Sequence, residues 1–91
     1  MLFMVIEHFK EGHLNSIGER FNQSGRMLPE GVVYHESWVD PSGSRCFQIM
    51  EALHPDLLHI WVERWRDLVD FEIVPVLNSS DFWSKRPPEH G

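Results

Sequence analysis

The sequence is poor in cysteine and in positive charge, and it contains no long apolar run. Cys46 is the only cysteine among 91 residues, which excludes an intrachain disulfide framework and any zinc site built on several cysteines. Eight Lys and Arg stand against fourteen Asp and Glu, for a formal charge of −6. The basic residues form no cluster, so the positive footprint that neutralises phosphates is missing and no nucleic-acid partner is expected. No stretch reaches the roughly 18–20 apolar residues that cross a bilayer, so no membrane partner is expected. Met1-Leu2-Phe3-Met4-Val5-Ile6 has no basic region ahead of it and runs straight into Glu7. It reads as a strand rather than a signal peptide, and a cytoplasmic location is the default.

What is present is a chain for one domain with a small core. Four Trp and six Phe are generous for this length, and one small core does not readily hide them, so a second buried surface is expected. Residues 1–77 carry the patterned elements. Residues 78–91 form a polar, Pro-rich tail in which Phe82-Trp83 is the candidate contact.

Residues 2–9 are apolar on both faces until Glu7 and His8, as in a central strand. Leu14, Ile17, Phe21 and Leu28 recur at helical spacing over 14–28, although Gly18, Gly25, Asn15, Ser16, Asn22 and Ser24 make this a poor helix. Pro29-Glu30-Gly31 breaks it. Residues 32–39 and 45–52 read as two strands joined by the turn Asp40-Pro41-Ser42-Gly43-Ser44. His54-Pro55-Asp56 opens a second helix, with Leu57, Leu58, Trp61, Trp65 and Leu68 as its stripe. Residues 70–77 form the last strand, and Pro75 marks it as an edge. The order β-α-β-β-α-β is the ferredoxin-like split pattern, an α+β fold with a four-stranded antiparallel sheet and two helices on one face.

A faint echo at 44 residues runs through the chain: Phe3, Val5, Ile6 and Glu7 against Phe47, Ile49, Met50 and Glu51, and Glu19-Arg20-Phe21 against Glu63-Arg64-Trp65. It suggests two similar halves. Right-handed crossovers then place the first and third strands side by side and parallel. Alternation sorts the strand residues into two sets. Phe3, Val5, Glu7, Tyr34, Glu36, Trp38, Phe47, Ile49 and Glu51 are assigned to the helix-covered core. Leu2, Met4, Ile6, His8, Val33, His35, Ser37, Val39, Cys46, Gln48 and Met50 are left uncovered. An uncovered apolar face marks an interface, and a two-fold homodimer with sheets face to face is the economical solution. Met4, Ile6, His35, Ser37, Cys46, Gln48 and Met50 are its expected contacts, and exchanging the two sets leaves the case for a dimer intact.

The element order, bare sheet face and size resemble the dimeric α+β barrel superfamily. Residues 1–9, Gly25-Arg26-Met27-Leu28-Pro29-Glu30-Gly31, Ser37-Trp38-Val39-Asp40 and residues 45–51 are similar to a family of short bacterial proteins of unknown function. Residues 65–72 and Val74-Pro75-Val76 add to the likeness, which covers 1–77 and not the tail. The resemblance implies a fold and supplies no catalytic residues. The wider superfamily includes cofactor-free monooxygenases, small isomerases, haem enzymes and stress-induced binding proteins, so it says little about chemistry.

Among individual residues, His8 and His35 are the weak catalytic candidates, because imidazole titrates near neutral pH. Structural or interface histidines are the plainer reading. In the hairpin register His35 lies opposite Met50. His54 and His59 point in different directions along their helix, and neither a metal site nor a cofactor is expected. Cys46 on a strand reads as a small buried hydrophobe. Gln48 and Ser37 face each other amid apolar groups and read as a hydrogen-bonded pair or as ligand contacts. Glu7, Glu36 and Glu51 form either a carboxylate cluster at one rim or solvated strand ends. Gly18 and Gly25 either leave a pocket under the first helix, walled by Tyr34, Trp38 and Phe47, or permit close helix–sheet packing.

Other functions of this topology lack their residues here. An RNA-recognition module needs basic neighbours for its exposed aromatics, a copper chaperone two cysteines in the first loop, and an acylphosphatase an arginine there. The leading expectation is a small-molecule-binding or accessory homodimer with a small apolar ligand. The alternative is a cofactor-independent monooxygenase or isomerase acting on an aromatic or conjugated substrate, with His8 or His35 as base and Trp38 as stacking wall. A structural interaction module using Phe82-Trp83 is a third.

Overall fold

A computed structural model describes residues 1–85. In chain order it contains β1 (Leu2–Phe9), α1 (Leu14–Ser24), β2 (Val32–Val39), β3 (Arg45–Ala52), α2 (Pro55–Glu63), β4 (Val69–Val76) and α3 (Ser79–Ser84). The strands form one antiparallel sheet in the order β2-β3-β1-β4, the α+β, ferredoxin-like arrangement. Pro55 at the start of α2 and Asp56 in its first turn suit a helix N-terminus, where an N–H is unneeded and negative charge is favoured. The turn before β3 is tied by Asp40, whose Oδ1 accepts from the Ser44 and Arg45 amides at 2.8 and 3.0 Å. The tail begins with the short helix α3, capped by the Asn78 side chain. Residues 86–91 of the tail lie outside the described residues.

Two expectations are corrected here. β1 and β3 are neighbours but run antiparallel, not parallel. A crossover sets β2 parallel to β1 one strand away, and the hairpin brings β3 back through the gap against both. Phe3 therefore pairs with Met50, Val5 with Gln48 and Glu7 with Cys46. Odd positions of β1 share a face with even positions of β3, so the 44-residue echo does not align the strands' faces.

The second correction concerns the two faces. Phe3, Val5, Glu7, Cys46, Gln48, Met50 and Ala52 are buried, on the side where α2 supplies Leu58 and Trp61 to the core and Ile17 of α1 packs against it. Phe47, Ile49 and Glu51, expected inside, lie on the opposite face with Met4 and Ile6. In β2 the register shifts between Tyr34 and Glu36, so His35 occupies a bulge. Tyr34 and Ser37 consequently share the helix-covered face, while Glu36 and Trp38 share the open one opposite Ile49 and Phe47. The expected opposition of His35 and Met50 is replaced by Tyr34 and Met50. The expected pairing of Ser37 with Gln48 is present, beneath the helices. Of the expected interface set, Met4, Ile6 and His35 are on the open face. Ser37, Cys46, Gln48 and Met50 face the helices, which already cover them.

The two helices sit differently. α2 presses Leu58 and Trp61 to within 0 and 1 % exposure, whereas α1 has no buried residue. α1 stands off the sheet and is held to the turn after α2 by Arg20. Arg20 grips Asp67 with two hydrogen bonds of 2.8 and 2.7 Å and also donates to the Arg64 carbonyl at 3.1 Å. Those bonds hold the Asp67 carboxyl down to about 2. Removing the clamp with Arg20→Ala should raise amide exchange across 14–24 while the amides of β1 and β3 stay protected, measured by hydrogen–deuterium exchange.

Candidate functional site

The gap under α1 is a cavity of about 460 Å³. An engineered cavity of about 150 Å³ takes benzene, and ligand pockets run from about 300 to 1,000 Å³. The sheet contributes Glu7 and Phe9 from β1, Ser37 and Val39 from β2, Cys46 and Gln48 from β3, and Val69 from β4. α1 contributes Leu14, Ile17, Gly18, Phe21 and Asn22, and Trp61 and Trp65 close the remaining side with Arg26. A Cβ at Gly18 would meet nothing within 4 Å, so this glycine serves open space rather than close packing.

Arg26 is held by an unusual loop. Gly25 ends α1 at φ 65° and Met27 follows at φ 58°, a left-handed conformation that a non-glycine residue adopts at a cost of about 1–2 kcal/mol. Between them the Arg26 carbonyl accepts hydrogen bonds from the indole N–H groups of both Trp61 and Trp65, each at 2.9 Å. Arg64 donates to the Met27 carbonyl at 2.7 Å. α2 and the turn after it thus fix the loop backbone. The guanidinium lies 3.6 Å from the Tyr34 ring centre, donates from Nε to Gln48 Oε1 at 3.5 Å and from Nη2 to Ser37 Oγ at 3.3 Å. The Tyr34 hydroxyl and Ser37 Oγ are 2.7 Å apart. Among the described residues no carboxylate forms an ion pair with Arg26.

Glu7 is the buried acid of this site, at 9 % exposure. Burial disfavours its charged form and pushes its pKa up to about 7, with the Gln48 side chain, the Arg26 charge and the Cys46 thiol offsetting part of that rise. The same burial, with the negative Glu7 beside it, pushes the Cys46 thiol up to about 12. Cys46 is therefore a poor nucleophile. Native protein at pH 8 should resist iodoacetamide and react only once unfolded, read by intact mass.

The residues expected from sequence are dispersed. Gly18 lines the cavity, and Tyr34 backs it through Arg26. Trp38, 52 % exposed, and Phe47 are on the opposite face of the sheet and cannot wall the cavity. His8 is exposed and pairs in register with Arg45 and Asp70. His35 Nε2 is 2.9 Å from Glu51 Oε1 at the exposed bulge. Neither histidine lines the cavity. Glu36 and Glu51 sit on the open face, apart from Glu7, so no three-carboxylate rim forms. Among the described residues no three His, Cys, Asp or Glu side chains converge as a metal site would need, and no helix is long and apolar enough to cross a membrane. Sequence reasoning missed Arg26 and the isolation of Glu7. Parity did set Glu7 inward with Phe3 and Val5; what it did not give is that Glu36 and Glu51 lie on the other face.

Fold and cavity together define a small α+β domain with one polar cluster inside an otherwise apolar pocket. The chain belongs to a family described as a domain of unknown function, DUF3303, which matches residues 1–86. The match runs past residue 77 and takes in α3. No curated protein matches the chain.

Proposed function

We propose that this chain is a small-molecule-binding protein whose ligand lies under α1, its apolar body against Ile17, Phe21, Trp61 and Trp65 and its polar end toward Glu7, Gln48 and Arg26. The observation that carries the proposal is the 460 Å³ cavity combined with a buried carboxyl and a guanidinium that, among the described residues, makes no contact ion pair with a carboxylate. A cluster of convergent polar groups in an apolar concavity is the usual composition of a ligand site. Toluene serves as the probe. Of the four tryptophan indole N–H signals, those of Trp61 and Trp65 should shift on titration, while those of Trp38 and Trp83 stay in place. Gly18→Leu, which fills the open space, should abolish the shifts. Uniform shifts, or none, contradict the proposal.

The same chain is proposed to act as a homodimer through the open face of its sheet. Met4, Ile6, Phe47 and Ile49 lie there, with Val33 at 53 %, Trp38 at 52 % and Val74 at 37 % exposure. Four strands of eight residues make a face of about 19 by 27 Å at ordinary strand spacing and rise. Two such faces bury on the order of 1,000 Å², where specific interfaces begin. A second copy removes both apolar faces from water in one event, which favours it over other occupants. Light scattering should give about 21 kDa, twice the 10.7 kDa of one chain, and Phe47→Glu should halve it. A single-chain mass for the unsubstituted protein contradicts the dimer.

A further inference from the structure

On the footing that the cavity is a ligand site, we propose that Glu7 is a general base within it, taking a proton from the carbon next to the carbonyl of a flat aryl or conjugated ketone while Arg26 holds the resulting enolate oxygen. The cluster has the two parts that such a reaction requires. One is a carboxyl shielded from water on β1, facing a volume large enough for a bicyclic molecule. The other is a cation already oriented by Gln48, Ser37 and the Tyr34 ring, with its backbone pinned by two indoles.

Glu7 has partners here in the Gln48 side chain, the Arg26 charge and the Cys46 thiol, yet they do not make up for its burial. Glu7 pairs in register with Cys46 and Phe71, and its inward neighbours on β1, Phe3 and Val5, are core residues. An apolar side chain would cost nothing to bury there, whereas a carboxyl is costly unless ionised groups or hydrogen bonds compensate it. Residues that reduce stability in a core are expected where function needs them. Arg26 acts on Glu7 through its charge without a contact ion pair to any carboxylate among the described residues, and it is a donor beside a space where negative charge can form.

The step balances without any added reagent. A Glu7 carboxylate oxygen forms a bond to the α-hydrogen as the C–H bond breaks. That electron pair becomes the C=C bond of the enolate, and the carbonyl π pair moves onto oxygen. Return of the proton from the Glu7 carboxylic acid to the same carbon exchanges the hydrogen. Return to the far carbon of a conjugated system moves a double bond. Either way the carboxylate is regenerated. The charged and titratable groups facing Glu7 are Arg26, from the loop after α1, and Cys46, from β3. The Cys46 thiol, pushed up to about 12 by burial, stays protonated through neutral pH, so the pH profile follows Glu7.

The test uses 2-indanone with full-length protein in D2O, followed by NMR. Binding is read from the Trp61 and Trp65 indole signals and turnover from loss of the α-proton signal. A positioned base contributes about 10²–10⁴-fold. Exchange should therefore exceed that of buffer alone at least a hundred-fold and rise with pH to a plateau above neutrality. Glu7→Gln should lose that factor while still shifting both indole signals, which also reports that it is folded. Arg26→Met should lower the rate about ten-fold or more and leave the pH profile's midpoint displaced. Indole shifts without exchange above buffer, or equal exchange in Glu7→Gln, overturn the base and leave the ligand site standing. Absence of indole shifts at the ketone's solubility limit overturns both.

Discussion

Trp61→Ala should cost about 3–5 kcal/mol of stability, the range for removing a buried large aromatic. That is a large share of a domain's whole margin, which is about 5–15 kcal/mol. Trp61 is 1 % exposed and lies in the central cluster with Phe3, Val5, Met50 and Leu58. Its ring meets Phe71 edge-on at a centroid distance of 5.2 Å. Its indole N–H is also one of the two donors to the Arg26 carbonyl. The substitution thus opens a void at the joint of α2 and the sheet and frees part of the loop that orients Arg26. Trp61→Phe separates these effects: it keeps most of the packing and loses the hydrogen bond, for about 1–2 kcal/mol. Urea unfolding of the three proteins checks both figures. A loss under about 1 kcal/mol for Trp61→Ala contradicts the packing described here.

The second large effect is a dependence of stability on pH, carried by Glu7. Its folded-state pKa, about 7, lies above the ordinary glutamate value of 4.5. The folded protein therefore binds the proton more tightly than the unfolded chain. Stability from this residue is fully present below about pH 4.5, falls as pH rises through neutrality, and levels off above the folded-state pKa. The gap corresponds to roughly 3 kcal/mol. Glu7→Gln carries no titrating proton, so its stability should be flat across this window apart from what other groups contribute to both proteins. The difference between the two should grow in favour of Glu7→Gln from pH 5 to pH 8. Parallel curves contradict a buried acid. The opposite slope would mean that Glu7 is ion-paired when folded.

Element order was legible because alternation, the turn at 40–44 and the break at 29–31 are local signals. The bounds of β1, β2 and β3 match their sequence patterns for that reason. Facing was not legible, because it depends on strand direction and register, which no single strand encodes. The 44-residue echo tied Phe47 to Phe3, yet antiparallel pairing gave Phe3 to Met50 and sent Phe47 to the other side. The bulge at His35 is equally silent: the polar run His35-Glu36-Ser37 does not say which residue is extra, and only the pairing with β3 reveals it. The candidate site followed from these two facts. Local pattern left Gly18 open between a pocket and close packing, and set Gln48 opposite Ser37. Arg26 could not be found that way, since its position is set by Trp61 and Trp65, 35 and 39 residues further along. Helix α3 escaped notice because six residues give too little periodicity against Pro-rich surroundings.

The claim on which everything else depends is that Glu7 sits inside an apolar cavity rather than at a solvated strand edge. Its side-chain carboxyl carbon, labelled with ¹³C and followed by NMR from pH 3 to pH 9, tests this directly. A midpoint close to 7 is expected, well separated from the other glutamates. A midpoint near 4.5 would mean that water reaches the carboxyl freely, and would contradict the cavity and the chemistry built on it.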